Sequence, residues 1–168
     1  MHVSRSIVFI VSLMLFAVSP LSFAQAGACD SAAHRAFDFW LGDWQVQKPD
    51  KTIAGHNTIT REYGGCVVHE HYTTEHNYSG ESLNIYDAAR GVWHQSWVDS
   101  GGMLLVLEGG LRDGKMVMQG KSVGKDGKTT KQRITWTPNQ DGTVRQFWES
   151  TDAQGKWTTA FDGLYSHP

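Results

Sequence analysis

The most metal-like stretch of the sequence is HEHYTTEH, residues 69–76. On a β-strand, His69 and His71 point to the same face with Cα atoms about 7 Å apart. Two neutral imidazoles at that spacing could share Zn²⁺ or Cu²⁺, with Glu75 or His76 as a third ligand. The pair has the opposite parity to its apolar neighbours, so we expect a solvated pair and no metal site.

Carboxylates offer a second kind of chemistry. Glu70 could form a general acid–base pair with His94 or Glu149, provided that the fold brings the groups together. His94 has outward parity on its strand, which argues against the first pairing. The sequence shows no Ser-His-Asp order, nucleophile elbow, Cys-His arrangement or phosphate-binding glycine pattern. We therefore assign no catalytic residue.

Polar side chains on predicted inward faces point to binding. Gln95, Gln132 and Gln146 each share a strand face with a tryptophan. Arg61 and Glu70 are also inward if Tyr63 and Tyr72 are. A packed core would exclude such groups, because each unpaired one costs roughly 1–3 kcal/mol. The candidate lumen-lining, ligand-binding residues are Arg61, Glu70, Tyr72, Gln95, Trp97, Gln132, Gln146 and Trp148. The alternative is a closed interior in which these groups hydrogen-bond one another or ordered water.

Short alternating runs position these residues, and they predict strands rather than helices. The strands are expected near residues 44–48, 56–63, 66–75, 82–87, 92–99, 103–109, 115–121, 130–137, 143–151 and 157–165. Apolar parity places Trp44, Val46, Leu83, Ile85, Met116 and Met118 inside. Glycine-containing turns separate the runs, with Asp-Gly at 113–114, 126–127 and 141–142.

Such short connections force antiparallel neighbours, and nine or ten strands in a meander close to remove their edges. A propeller would need a repeat of about 45 residues, and none is present. The predicted fold class is all-β: an up-and-down antiparallel barrel with a short N-terminal helix at one end.

That helix is expected over residues 31–41, just before and within FDFWLGDW, residues 37–44. The helix would lay aromatic rings across the barrel's base, and Gly42 would let the chain bend into the first strand. The residues expected to plug this end are Phe37, Phe39, Trp40 and Trp44.

FDFWLGDW resembles the Gly-x-Trp opening of lipocalin-like, or calycin, barrels. The chain also resembles small secreted bacterial proteins of uncharacterised function that begin with nearly the same octet. Further shared marks are GGC at 64–66, YD at 86–87, WHQSWVD at 93–99, VRQFWESTD at 144–152 and FDGLY at 161–165. The resemblance covers nearly all of the chain after its leader and implies a calycin-type barrel, without implying an activity.

Two departures limit what the resemblance implies. The Thr-Asp-Tyr mark of true lipocalins has no counterpart, so lipocalin ligands do not carry over. The haem-binding nitrobindin type has a similar opening but needs a proximal histidine late in the barrel. After His94 only His167 remains, at the extreme C-terminus. We therefore expect no haem and no other cofactor.

The N-terminus has the marks of a secretory signal peptide over residues 1–24. His2 and Arg5 precede an apolar run over residues 7–18, and Ser22-Phe23-Ala24 supplies small residues for cleavage. Residues 25–168 would then form one domain in the periplasm or outside the cell. In that oxidising setting Cys29 and Cys66 are expected to form a disulfide. The alternatives are free thiols, or acylation of Cys29 as a lipoprotein.

These features predict an exported barrel that binds a small, partly apolar molecule in its lumen. A formal net charge of −2 with interspersed signs excludes a nucleic-acid partner, and no apolar run is left to span a membrane. One alternative is an enzyme acting through Glu70 and Arg61. Another is an interaction or stress-related module with a filled interior. The sequence leaves the ligand and the oligomeric state open.

Overall fold

The computed structural model describes residues 27–124 and 126–168, and the predicted signal peptide lies outside them. Ten strands follow one another along this part of the chain. They are β1 (Gly42–Gln47), β2 (Ile53–Glu62), β3 (Val67–Thr73), β4 (Ser79–Asp87), β5 (Val92–Asp99), β6 (Leu104–Arg112), β7 (Lys115–Val123), β8 (Thr129–Pro138), β9 (Val144–Thr151) and β10 (Trp157–Ser166). Among the described residues, no helix has the length and apolarity needed to cross a membrane.

The strands form one closed barrel in which each pairs with its sequence neighbours and β10 returns to β1. Every pairing is antiparallel. The closing pair sets Val46 opposite Tyr165, flanked by one further pair on each side. The prediction of an all-β, up-and-down antiparallel barrel is confirmed, with ten strands close to the expected positions.

Asp-Gly turns hold the hairpins as expected. At the tip of the β6–β7 hairpin, Asp113 and Gly114 have φ values of 49° and 75°. Two successive residues with positive φ define the type I′ turn, whose twist matches that of paired strands. The register of this hairpin therefore follows directly from the local sequence.

The helix predicted over residues 31–41 is wrong in type and extent. The segment consists of turns and a single 3₁₀ helix at Asp38–Trp40. Side chains three residues apart eclipse in a 3₁₀ helix, and here the Phe37 and Trp40 rings stack with centroids 4.9 Å apart. An α-helix this short has little stability of its own, so packing against the barrel decides the conformation.

A buried aromatic cluster forms around this segment, at the barrel end where the odd-numbered strands begin. The Phe37 ring meets those of Trp93 and Trp136 edge-on, at 5.7 and 5.2 Å between centroids. The Trp44 indole donates to the Trp40 carbonyl at 2.9 Å. Phe39 is only partly buried and packs against the outside of the cluster. Close packing of these rings fills this end of the barrel.

Cys29 and Cys66 form the predicted disulfide. It ties the segment before β1 to the β2–β3 connection, 37 residues further along the chain. In the unfolded chain, this cross-link removes the entropy of a loop of that length, worth up to about 4 kcal/mol. The N-terminal segment carries the aromatic cluster, so the bond holds that cluster against the barrel.

We expect the double substitution Cys29→Ser, Cys66→Ser to lower the free energy of unfolding by about 2–4 kcal/mol, because the unfolded chain regains loop entropy. Urea denaturation followed by tryptophan fluorescence measures the change. Reductant should lower the wild-type midpoint in the same direction and leave the double variant unaffected. Equal midpoints for the oxidised wild type and the variant would contradict this account.

Candidate functional site

The barrel encloses a cavity of about 210 Å³ in the half away from the aromatic cluster. It extends to the rim at Thr74 and Tyr78, in and next to the β3–β4 turn. Its lining residues are Glu70, Tyr72, Thr74, Tyr78, Gln95, Trp97, Leu105, Ile134, Gln146, Trp148, Ala160, Phe161 and Tyr165. The wall is thus mainly aromatic and aliphatic, with a few polar groups set deep inside.

Glu70 is the centre of the polar part. Its side chain is 3 % exposed, and it accepts hydrogen bonds from Ser82 Oγ at 2.6 Å and Asn57 Nδ2 at 2.8 Å. Ser82 Oγ in turn accepts from Asn84 Nδ2 at 2.9 Å and Gln95 Nε2 at 3.4 Å. With both lone pairs of Ser82 used, its only hydroxyl proton goes to Glu70.

The orientation of this network is fixed at its far end. Asn84 Nδ2 also donates to the Val68 carbonyl at 3.0 Å, and a carbonyl can only accept. The Asn84 Oδ1 atom must then be the acceptor for Gln95 Nε2, at 2.9 Å. Asn84 and Gln95 therefore both donate to Ser82 Oγ, and Ser82 donates to the Glu70 carboxyl group.

A second branch runs to β9 and β10. Asn57 Nδ2 lies 3.3 Å from the Tyr165 hydroxyl oxygen, and Tyr165 donates a short hydrogen bond to Gln146 Oε1. Burial raises the pKa of the Tyr165 hydroxyl well above its usual 10, so it stays protonated and keeps this donor role. The branch links the deep carboxyl group to the cavity wall on the opposite strands.

Burial also controls the ionisation of Glu70. It raises the pKa of this carboxyl group from 4.5 to about 7, against the opposing effect of the hydrogen bonds from Ser82 and Asn57. Burial and the nearby Glu70 charge raise the pKa of Tyr72 to about 12. A carboxyl group with a pKa near neutrality, in a cavity, marks a functional-site candidate.

The aromatic walls are held in place by their polar ends. Trp97 Nε1 donates to Asp99 Oδ2 at 3.2 Å, and Trp148 Nε1 donates to Gln132 Oε1 at 2.7 Å. The Tyr72 hydroxyl donates to the Ala54 carbonyl at 2.8 Å. These bonds fix each ring, so the wall exists before any ligand arrives.

Two strand glycines make space for these rings. A Cβ atom on Gly80 would lie 2.3 Å from Trp97 Cζ2, and one on Gly55 would lie 2.6 Å from the Tyr72 hydroxyl oxygen. The rings therefore pack directly against the backbone of neighbouring strands, where any side chain would displace them. Sequence reasoning had no role for either glycine, although glycine inside a strand often marks such a close approach.

Six of the eight predicted lumen residues line the cavity: Glu70, Tyr72, Gln95, Trp97, Gln146 and Trp148. Gln132 is inward and 4 % exposed, but it lies behind the cavity wall. It accepts from Trp148 and donates to Ser122 Oγ at 2.8 Å and Thr130 Oγ1 at 2.9 Å. Its place is to position Trp148.

The prediction that Arg61 lines the lumen is wrong, because its side chain does not reach the cavity. Its guanidinium donates to the Gly65 and His34 carbonyl oxygens and pairs with Asp38, near the disulfide. The prediction assumed that Tyr63 points inward on the same strand. β2 instead ends at Glu62, and Tyr63 is 73 % exposed in a 3₁₀ turn.

The predicted inward face of β4 is also wrong. Leu83 and Ile85 are 47 % and 43 % exposed, whereas Ser82 and Asn84 are buried. The β3–β4 register explains the reversal, because it sets Ser82 directly opposite Glu70. Supplying hydrogen bonds to the buried carboxyl group outweighs burying two aliphatic side chains. Inward positions predicted for Trp44, Val46, Met116 and Met118 are confirmed.

The histidine pair lies on the outside of the barrel, on the opposite face of β3 from Glu70. The His69 and His71 rings are 3.9 Å apart between centroids, and both contact Glu81, at 3.3 and 3.2 Å. Glu62, His69 and His71 each have a candidate ligand atom within 4.8 Å of the others, so these three could hold a metal ion. The predicted third ligands, Glu75 and His76, are not part of this group.

The proposed partners for acid–base chemistry are not near Glu70. His94 contacts Glu108 at 3.3 Å, and Glu149 pairs with Arg133 at 2.9 Å, both away from the cavity lining. His167 stacks on Trp44 at the end of the barrel that holds the aromatic cluster, with ring centroids 4.0 Å apart. The cavity therefore brings one carboxyl group together with amides and phenols, without a histidine.

Sequence reasoning missed both residues that hydrogen-bond Glu70, together with further members of the network and of the cavity wall. The missed residues are Asn57, Ser82, Asn84, Tyr78, Phe161 and Tyr165. For Asn57 the available signal was parity, because it alternates in step with Arg61 on the same strand. On β4, Ser82 and Asn84 were predicted to face outward, because the alternating residues Leu83 and Ile85 are apolar.

The fold and the cavity define a closed antiparallel β-barrel with an aromatic lumen and a buried carboxyl group. A comparison with protein-family models finds no match for this chain. A comparison with curated proteins finds no significantly similar relative.

We expect Gly80→Ala to lower the free energy of unfolding by about 1–3 kcal/mol, because the new methyl group displaces the Trp97 ring. Chemical denaturation measures the loss, and near-UV circular dichroism should report the moved indole. Gly110→Ala, also within a strand, is the matched control, since its Cβ meets no atom within 4 Å. Equal stability of the two variants would contradict the close approach.

The raised pKa of Glu70 predicts a specific dependence of stability on pH. Between pH 4.5 and about 7 the folded protein holds a proton that the unfolded chain releases. Stability from this group is thus full below pH 4.5 and is lost as the pH rises through about 7. The loss amounts to about 3 kcal/mol, at 1.36 kcal/mol per pKa unit.

Glu70→Gln removes this dependence, so its stability relative to wild type should increase by about 3 kcal/mol from acid to mildly alkaline pH. Urea titrations across the pH range measure the difference, in which pH-independent effects of the amide cancel. Glu75→Gln, at an exposed turn position, is the control and should run parallel to wild type. A parallel curve for Glu70→Gln would contradict the buried ionisation.

Proposed function

We propose that this protein is an exported binding protein that holds a small, partly apolar molecule in its barrel lumen. The observation that carries the proposal is the cavity of about 210 Å³, walled by aromatic rings with polar groups converging at its base. Ligand sites typically combine an apolar, concave wall with a few placed polar groups. The volume lies below the roughly 300–1,000 Å³ of drug-sized sites, so the ligand is small.

The cost of building this interior supports a function. Burying a carboxyl group and several amides lowers stability relative to an apolar core, unless a partner compensates for their lost solvation. The rings of Trp97, Trp148 and Tyr72 are fixed by hydrogen bonds to the barrel itself. A wall that is already ordered loses little entropy on binding, which favours affinity.

Export and the closed end belong to the same proposal. Residues 1–24 act as the signal peptide, and residues 25–168 form the mature domain of a calycin-like, lipocalin-like barrel in the periplasm or outside the cell. The Cys29–Cys66 disulfide supports an oxidising compartment. Phe37, Trp40 and Trp44, all buried, plug one end of the barrel and leave the other as the entrance.

A catalytic role for Glu70 is the second candidate. The observation that favours it is the pKa of about 7, which suits a general acid or base at neutral pH. Arg61 takes no part in this catalytic candidate, since it lies at the end of β2 away from the cavity. The interaction-module alternative requires a filled interior, and the cavity argues against it.

We expect Trp97→Ala and Trp148→Ala to weaken ligand binding by about tenfold or more each, because each removes a large part of the wall. The ligand is identified first, by native mass spectrometry of protein purified from its own host. Isothermal titration calorimetry then compares the variants. Trp157→Ala is the control, since Trp157 packs under Arg133 away from the cavity lining.

A single apo mass, together with no thermal shift from a panel of lipids and metabolites, would contradict the binding proposal. Turnover of a bound compound by the wild type, lost in Glu70→Gln with an unchanged fold, would establish the catalytic candidate instead.

A further inference from the structure

We infer that the lumen ligand is an organic cation: a small ammonium compound whose charged nitrogen lies against Glu70 and whose apolar body contacts Trp97 and Trp148. This inference rests on the proposed binding function and adds the chemical class of the ligand. Three independent features carry it: the direction of the hydrogen bonds at Glu70, the lack of a basic residue in the cavity wall, and the aromatic faces around it.

The hydrogen bonds at Glu70 are arranged for a carboxylate. Ser82 Oγ and Asn57 Nδ2 each donate to a different oxygen of Glu70, at 2.6 and 2.8 Å. The short Ser82 contact falls in the range of roughly 2.5–2.7 Å seen when a hydroxyl donates to a charged oxygen. Neither donor is charged, so the negative charge is solvated by dipoles but not neutralised.

Among the described residues that line the cavity, no basic side chain compensates this charge. The described residues that line the cavity include one carboxyl group, Glu70, and no lysine, arginine or histidine. The imidazole rings of His69 and His71, which flank Glu70 along β3, are on the outer face and contact Glu81. A buried carboxylate without a partner is unfavourable, and a cationic ligand removes that penalty on binding.

The aromatic wall favours the same class of ligand. The faces of indole and phenol rings carry negative potential and attract ammonium groups, most strongly where water is excluded. Tyr72 and Trp97 lie 6.4 Å apart between ring centroids, and both line the cavity with Trp148. A carboxylate ligand would meet both Glu70 and these faces with like charge, so the lumen selects against anions.

The cavity volume limits the ligand to a compound of about one ring and a short chain. At about 210 Å³ it is too small for a long acyl chain folded inside. Primary amines fit best, because their N–H groups can donate to Glu70 and to the neighbouring amide oxygens while the remaining carbons contact the rings.

Three probes of matched size test the inference: 2-phenylethylamine, 2-phenylethanol and phenylacetate. At about pH 8 the amine is protonated, since alkyl amines such as lysine have pKa values near 10.4, and Glu70 is largely ionised, with its pKa at about 7. Isothermal titration calorimetry with the full mature protein measures each Kd. We expect the amine to bind at least about tenfold more tightly than the alcohol, a difference of about 1.4 kcal/mol, and phenylacetate more weakly than either.

Glu70→Gln should reduce the preference for the amine over the alcohol to about one, while the alcohol still binds. Glu81→Gln, on the outer face of the neighbouring strand, is the control and should keep the wild-type preference. The wild-type order of the three probes tests the inference even if Glu70→Gln does not fold. Binding of the alcohol or phenylacetate equal to that of the amine would overturn the cation inference and leave lumen binding standing. Absence of binding by all three would overturn the inference, and the host-purified mass spectrum then decides the proposed function separately.

Discussion

Closure of the sheet on itself is the constraint on which the rest of this structure depends. β1 and β10 meet through only three residue pairs, yet that short seam removes both exposed edges of a ten-stranded sheet. Closure also creates an inside, so that alternate residues of every strand face a shared interior. Without the seam, Val46 and Tyr165 would not be neighbours, and Tyr165 could not join the network around Glu70.

The large aromatic side chains divide the interior of the barrel into a packed end and an end that holds the cavity. Phe37, Trp40, Trp93 and Trp136 pack against one another at one end. The amide and hydroxyl groups lie beyond this cluster, and the cavity follows them towards the β3–β4 turn. The packed aromatic end shields Glu70 from solvent on one side, and this burial raises the pKa of its carboxyl group.

The outer and inner faces of β3 show how one strand separates two kinds of chemistry. Glu70 points inward and receives hydrogen bonds only from neutral donors, while His69 and His71 point outward to Glu62 and Glu81. Strand alternation alone enforces this separation. It keeps the histidines out of the lumen and leaves the buried carboxyl group as the only acid among the residues described there.

Much of the fold followed from local sequence, and the reasons are local. Asp-Gly turns specify hairpins through their positive φ values, and alternation specifies which face is inside when one face is clearly apolar, as for Trp44 and Val46 or Met116 and Met118. The same rule placed Gln95 and Gln146 correctly, because tryptophans share their faces. The rule failed for β4, where the apolar face did not point inward. Ser82 and Asn84 are buried there, and Leu83 and Ile85 are exposed.

By itself, the sequence determined the strands, their antiparallel order and the closed barrel, because turn geometry and two-residue periodicity act over short distances. The disulfide followed from a different argument, since an exported chain with two cysteines is expected to pair them. Only the tertiary structure decided which polar groups meet. Register set Ser82 beside Glu70 and closure brought in Tyr165, whereas Arg61, at the end of β2 near the aromatic cluster, pairs with Asp38 away from the cavity. Which polar groups meet depends on whether hydrogen-bond donors from several strands compensate for burying a charge. The sequence of a single strand does not contain that information.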